Sequence, residues 1–218
     1  MDSEGRNDAE ESMKILERFL SSGKEKTYAQ ATKSYEAMFD CVISLDNEWH
    51  LSATRRVLDG LRESTHAEFQ RRFALSLGSW GLSGLTPRSI ETLCQTIKFS
   101  ADVEVRRNSA ISVSKIPLSA VQDALVNIFA ALNHGMCDYT TEDRGDVGSW
   151  VREASMKSFA TILERIFSNE IEKPDNWDIE HIMNEVKKGL DNIMFECCGR
   201  IDRTAAVAGK TLKRFCGV

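Results

Sequence analysis

The amino-acid sequence predicts an all-α protein, and three observations carry that prediction. Apolar residues recur at helical spacing from Met13 to the C-terminus, and no stretch shows the alternation of a half-buried strand. Gly23, Pro87, Pro117 and Pro174 punctuate the boundaries between the periodic segments. With 218 residues, 42% of them hydrophobic, the chain is long enough to bury a substantial core.

Residues 1–12 hold five acids against one arginine and no large apolar residue beyond Met1, so they read as a flexible acidic tail, leaving 13–218 as the folded part. Met13, Leu16, Phe19 and Leu20 line a first helix that stops at Gly23, a residue suited to the left-handed position after a helix. Tyr28, Ala31, Tyr35, Met38, Phe39, Val42 and Ile43 line a second, and a third runs from Trp49 to Arg62. Phe69, Phe73, Leu77 and Trp80 form the stripe of a fourth. Thr86 then Pro87 reads as an N-cap followed by proline at the first helical position, opening a fifth helix built on Ile90, Leu93, Cys94 and Ile97. A sixth spans Val103 to Lys115 and is stopped by Pro117, and a seventh runs from Ser119 to Asn133 with Val121, Leu125, Ile128, Phe129 and Leu132 inward. Val151, Phe159, Ile162, Leu163, Ile166 and Phe167 mark an eighth. Two more follow Pro174, one on Ile179, Ile182, Met183, Val186 and Leu190, the other from Asp202 to Phe215, for about ten helices in all.

Four segments, "FQRRFALSLG", "VEVRRNSAISV", "SWVREASMKSF" and "IDRTAAVAGKTL", each set an arginine near a helix start, then small residues, then apolar ones. Taking Arg71, Arg106, Arg152 and Arg203 as equivalent gives unevenly spaced two-helix units, the pattern of a HEAT-like α-solenoid. A helix pair cannot bury its apolar face alone; Ala110, Ala154 and Ala205 would let neighbouring helices approach and form one continuous core.

The formal net charge of −5 argues against nucleic acid as a partner, since phosphate-backbone binders carry clustered basic surface. No apolar run approaches the roughly 20 residues needed to cross a bilayer, so membrane insertion is not expected. Six cysteines without the spacing of a disulfide scaffold fit a reduced, cytoplasmic protein. His134 and Cys137 lack the second ligand pair of a structural zinc site, the histidines have no nucleophile at a recognisable spacing, and the glycines of "RGDVG" follow no strand. We therefore expect no catalytic residue, no metal and no cofactor: a binding protein, not an enzyme. Arg106, Arg107 and Arg152 read first as bridges between repeats through carboxylates.

One stretch stands apart: "DYTTEDRGDVGSWVREASM", Asp138 to Met156. As a connector it needs only glycines to turn and a cap for the next helix, roles that Gly145, Gly148 and Asp146 or Ser149 fill. Gly145, Asp146, Trp150, Val151 and Arg152 are thus expected to be structural, with Val151 in the core and Arg152 tied to a neighbouring repeat. Tyr139, Asp143 and Arg144 belong to a polar cluster that a plain connector does not require, and loops on rigid scaffolds commonly carry recognition residues, so these three are the expected partner contacts.

The same stretch, with "FQRRFALSLGSWG" and "VEVRRNSAISVSKI" upstream and "CGRIDRTAAVAGKTL" downstream, resembles the tubulin-folding cofactor D family of tubulin-specific chaperones over about Phe69 to Leu212. The resemblance implies a HEAT-repeat solenoid that binds β-tubulin and, with tubulin-folding cofactors E and C and an Arf-like small GTPase, assembles and disassembles the αβ-tubulin heterodimer in the cytoplasm, at the microtubule cytoskeleton or centrosome. GTP hydrolysis in that cycle belongs to tubulin, so no catalytic residue carries over. The family's chains are much longer, and this one is similar to a portion covering the late HEAT repeats and the start of the C-terminal domain; on that reading Leu212 and Phe215 are apolar residues that a following repeat would cover. The alternative is a general HEAT-repeat scaffold or adaptor for another cytosolic complex.

Overall fold

The computed structural model describes residues 3–22, 24–42, 47–79, 87–116 and 124–168, with Asn184, Lys187, Lys188 and Lys210 besides. Among these residues the fold is all-α: eight helices, α1 (Ser3–Ser22), α2 (Glu25–Val42), α3 (Asn47–Glu63), α4 (Ala67–Ser79), α5 (Pro87–Phe99), α6 (Val103–Lys115), α7 (Leu125–Met136) and α8 (Gly148–Phe167). The two helices expected beyond Pro174 lie outside the described residues, as do Gly23, Trp80, Thr86, Val121, Arg203, Leu212 and Phe215.

Two expectations are corrected. The acidic segment is not a tail: α1 is continuous from Ser3 to Ser22, its polar first turns carried by the buried face of Met13, Leu16 and Phe19. A strand-free chain was expected, yet β1 (Thr141–Glu142) pairs antiparallel with β2 (Gly145–Asp146). Two-residue strands are too short to show any alternation in sequence.

Local chemistry sets the helix ends. Asp102 sits in extended backbone as the N-cap of α6, its carboxylate accepting the Val105 N–H at 2.9 Å. That helix ends at Ile116, whose extended backbone, φ −63° and ψ 134°, is what a following proline imposes. Pro87 opens α5, where a missing N–H costs nothing.

Consecutive helices pack in pairs: α1 with α2, α3 with α4, α5 with α6, α7 with α8. Alternate helices stack as well, α4 on α6, α6 on α8 and α5 on α7, so the pairs lie side by side in two layers. The core runs between the layers through Leu16, Phe19, Phe69, Phe73, Leu77, Leu93, Ile97, Leu132, Phe159 and Ile162. At its N-terminal end Phe19 stacks on Phe69 at 4.6 Å, with Tyr28 edge-on at 5.1 Å, geometries that aromatic quadrupoles favour. Small residues set the spacing of stacked helices. A Cβ at Gly78 would lie 2.6 Å from the Ser112 backbone, and Ser112 Oγ donates to the Ala74 carbonyl, so α4 and α6 approach almost backbone to backbone. Asn108 Nδ2 donates to the Arg71 carbonyl at 3.1 Å across the same seam. On the next seam Arg165 of α8 donates to the Ser114 and Ile116 carbonyls at the C-terminal end of α6, groups that no further turn of that helix satisfies.

Candidate functional site

The segment between α7 and α8 is clamped by two arginines. Its register pairs Thr141 with Asp146 and Glu142 with Gly145, leaving Asp143 and Arg144 at the tip. Gly145 has φ +96°, a conformation that side chains rarely adopt, so glycine closes this turn for a backbone reason. Gly148 matters differently: its N–H donates to the Thr140 carbonyl at 2.9 Å, and a Cβ there would press on Asp138 and the Thr140 nitrogen. It permits close approach rather than an unusual φ.

Asp138 is the hub on one side. Its Oδ1 accepts the Thr140 N–H at 3.0 Å and hydroxyl at 2.6 Å, and its Oδ2 accepts Arg106 Nε at 2.7 Å. Arg106, 8% exposed on α6, also donates to Thr140 Oγ1 at 2.8 Å and to the Ser100 and Ala101 carbonyls at 2.6 and 3.2 Å. Burial pushes the Asp138 carboxyl up, but the hydrogen bonds from Arg106 and Thr140 outweigh it and hold the group below the usual carboxylate range. One stack earlier, Arg71 of α4 forks onto the α6 cap through Nε and Nη2 to Asp102 at 3.0 and 2.6 Å, and that carboxyl too is held low against the upward push of burial.

Arg152 forms the second clamp. It is fully buried, forks onto Asp146 at 3.1 and 2.6 Å, and donates to the Asp138 carbonyl. The Tyr139 ring lies 4.9 Å from its guanidinium carbon. Arg152 thus binds groups of its own hairpin, while Arg106 reaches from one helix pair to the next. Asp146 also accepts the Ser149 N–H at 3.2 Å, doing a cap's work although Val147 holds the N-cap position. Val151 is buried with Val103 and Val147 in a small satellite of the core.

Trp150 departs from its structural expectation. It is 38% exposed, with the Arg144 guanidinium 5.5 Å from its ring centroid. The expected contact residues lie outward: Tyr139 is 45% exposed, Asp143 is exposed, and Arg144 is exposed with Glu142 as its ion partner at 3.2 Å. The Asp-x-Thr spacing of an Asx turn is the sequence signal that sets Asp138 and Thr140, which hold the segment, apart from these exposed residues. Cys94 is buried, its thiol pushed up to about 12 by desolvation, and Cys137 is exposed. Among the described residues no group of three His, Cys, Asp or Glu side chains is placed to hold a metal, and no helix is long and apolar enough to cross a membrane. The arrangement is a rigid platform presenting polar and aromatic groups at a short hairpin.

Comparison with protein-family models gives no match, and no solved structure matches. Among curated proteins the chain is similar to tubulin-specific chaperone D of Dictyostelium discoideum, 24% identical over 204 residues, which covers 75% of this chain and 14% of that protein. The chain thus spans about one seventh of the length of the relative it matches, and the similarity is that of a distant relation.

Proposed function

We propose that this chain is a HEAT-like α-solenoid segment of a tubulin-folding chaperone. It binds β-tubulin during assembly and disassembly of the αβ-tubulin heterodimer, working in the cytoplasm with tubulin-folding cofactors E and C and an Arf-like small GTPase. It acts by surface complementarity, with no catalytic residue and no cofactor of its own. The observation that carries this reading is the similarity to tubulin-specific chaperone D along three quarters of the chain. The solenoid arrangement draws support from the stacking of alternate helices, which lets each pair cover its neighbour's apolar face. Tyr139, Asp143 and Arg144 are the contacts we assign, because they project from a hairpin whose base is fixed by Arg106 and Arg152.

Gel filtration of the purified chain with purified αβ-tubulin at moderate salt tests this directly. Co-elution of the two is expected. Separate elution across micromolar concentrations would overturn the tubulin reading and leave a scaffold for some other complex.

A further inference from the structure

Between the outer faces of α6 and α8 lies a cleft of about 540 Å³, within the size range of sites that hold a ligand. Its walls are two helical stripes, with Glu104, Arg107 and Ile111 from α6 and Trp150, Ala154 and Lys157 from α8. Trp150 is 38% exposed here, with the Arg144 guanidinium 5.5 Å from its ring centroid. The charges of the cleft are unequally committed. Glu104 faces Arg71 of α4 at 3.4 Å, and Lys157 holds Glu153 at 2.6 Å. Arg107 is exposed and has no ion pair or hydrogen bond among the described residues. The cleft therefore offers one uncommitted guanidinium beside an aromatic and aliphatic surface formed by Trp150, Ile111 and Ala154.

We infer that this cleft docks an acidic peptide segment, one that sets a carboxylate on Arg107 and packs a neighbouring apolar side chain against Trp150. A guanidinium has five donors and no acceptor, so it selects a carboxylate and rejects a basic segment. Tryptophan and arginine are the residue types that most often dominate peptide and protein contacts, and both sit here in one cleft. The inference goes beyond the tubulin reading and does not rest on it: the cleft lies on the α6–α8 face, and its occupant is defined by charge and apolarity alone.

Fluorescence anisotropy with the full chain and a short labelled peptide alternating glutamate with leucine and phenylalanine tests it. We expect saturable binding that weakens with salt. Arg107→Glu and Trp150→Ala should each lose at least about tenfold in affinity, whereas Arg88→Glu, at an exposed arginine on α5, should change it less than about twofold. The same peptide with lysine for glutamate should prefer the Arg107→Glu variant over the unmodified chain. Because Arg107 and Arg88 are exposed, both variants are expected to keep the melting temperature. Absence of binding, equal losses in the Arg107 and Arg88 variants, or tighter binding of a single-stranded oligonucleotide stacked on Trp150 would each overturn the inference. Tubulin co-elution is read out separately, so its failure and the failure of this cleft are distinguishable.

Discussion

Arg152 is a cation with no exposed surface, and its survival there depends on Asp146 and the Asp138 carbonyl. Removing the guanidinium empties a buried site and takes the donor from the Asp138 carbonyl and the part-exposed Asp146 carboxylate, so Arg152→Ala is expected to cost about 2 kcal/mol or more in urea unfolding. Asp146→Ala deletes both the fork and the acceptor for the Ser149 N–H, and should exceed the roughly 0.5 to 2 kcal/mol of an ordinary cap. The exposed residues divide. Tyr139 lies against the buried guanidinium, so Tyr139→Ala is expected to cost about 1 kcal/mol. Asp143→Ala and Arg144→Ala, at the tip, should stay within about 0.5 kcal/mol. The sequence showed that this stretch was unusual and which residues could turn it. It concealed the fate of Arg152, because the partner six residues upstream is brought in only by a hairpin that periodicity cannot register.

At the level of elements, two glycines do unlike work and their replacements should differ in kind. Gly145→Ala meets open space but keeps φ +96°, an expected cost of about 1–2 kcal/mol from backbone strain alone. Gly148→Ala has an ordinary helical backbone but no room against Asp138 and Thr140, so overpacking of about 1–3 kcal/mol is expected. Trimming the Thr140 side chain by Thr140→Ser should rescue neither, since the obstruction at Gly148 is the Asp138 carbonyl and carboxylate and the Thr140 nitrogen. Helix unfolding followed by circular dichroism in urea gives all three values. The helices themselves were legible because each carries its apolar face at helical spacing; Phe69, Phe73 and Leu77 in α4 and Leu125, Ile128, Phe129 and Leu132 in α7 are buried as their spacing requires. Residues 3–12 were not legible, since their place in α1 comes from continuity with an apolar face that begins only at Met13.

Across the described residues, successive helix pairs are joined by a recurring device, an arginine on one stacked helix holding a carboxylate in the turn of the next pair: Arg71 on Asp102, then Arg106 on Asp138. Both carboxyls are held below their ordinary values, so each contributes stability that is complete above about pH 3.9 and is lost as pH falls through its folded value. The urea midpoint should be flat from neutral pH down to about 4 and drop below it, and Arg106→Gln should flatten part of that drop. The small-residue patterns around Arg71, Arg106 and Arg152 fall on α4, α6 and α8, and these helices pack in turn, α4 on α6 and α6 on α8. They could not show which carboxylate each arginine finds, because Asp102 and Asp138 arrive through loops of different length and shape.

One paired measurement tests most directly the proposed role of the clamped hairpin as a contact surface for tubulin. Purified αβ-tubulin is titrated against the full chain and against an Asp143→Ala, Arg144→Ala double variant, with the melting temperature of each recorded alongside. Binding by the unmodified chain, a loss of at least about tenfold in the variant, and coincident melting curves are predicted. Equal affinity in the two proteins would contradict the assignment of the hairpin, and no binding by either would contradict the chaperone reading itself.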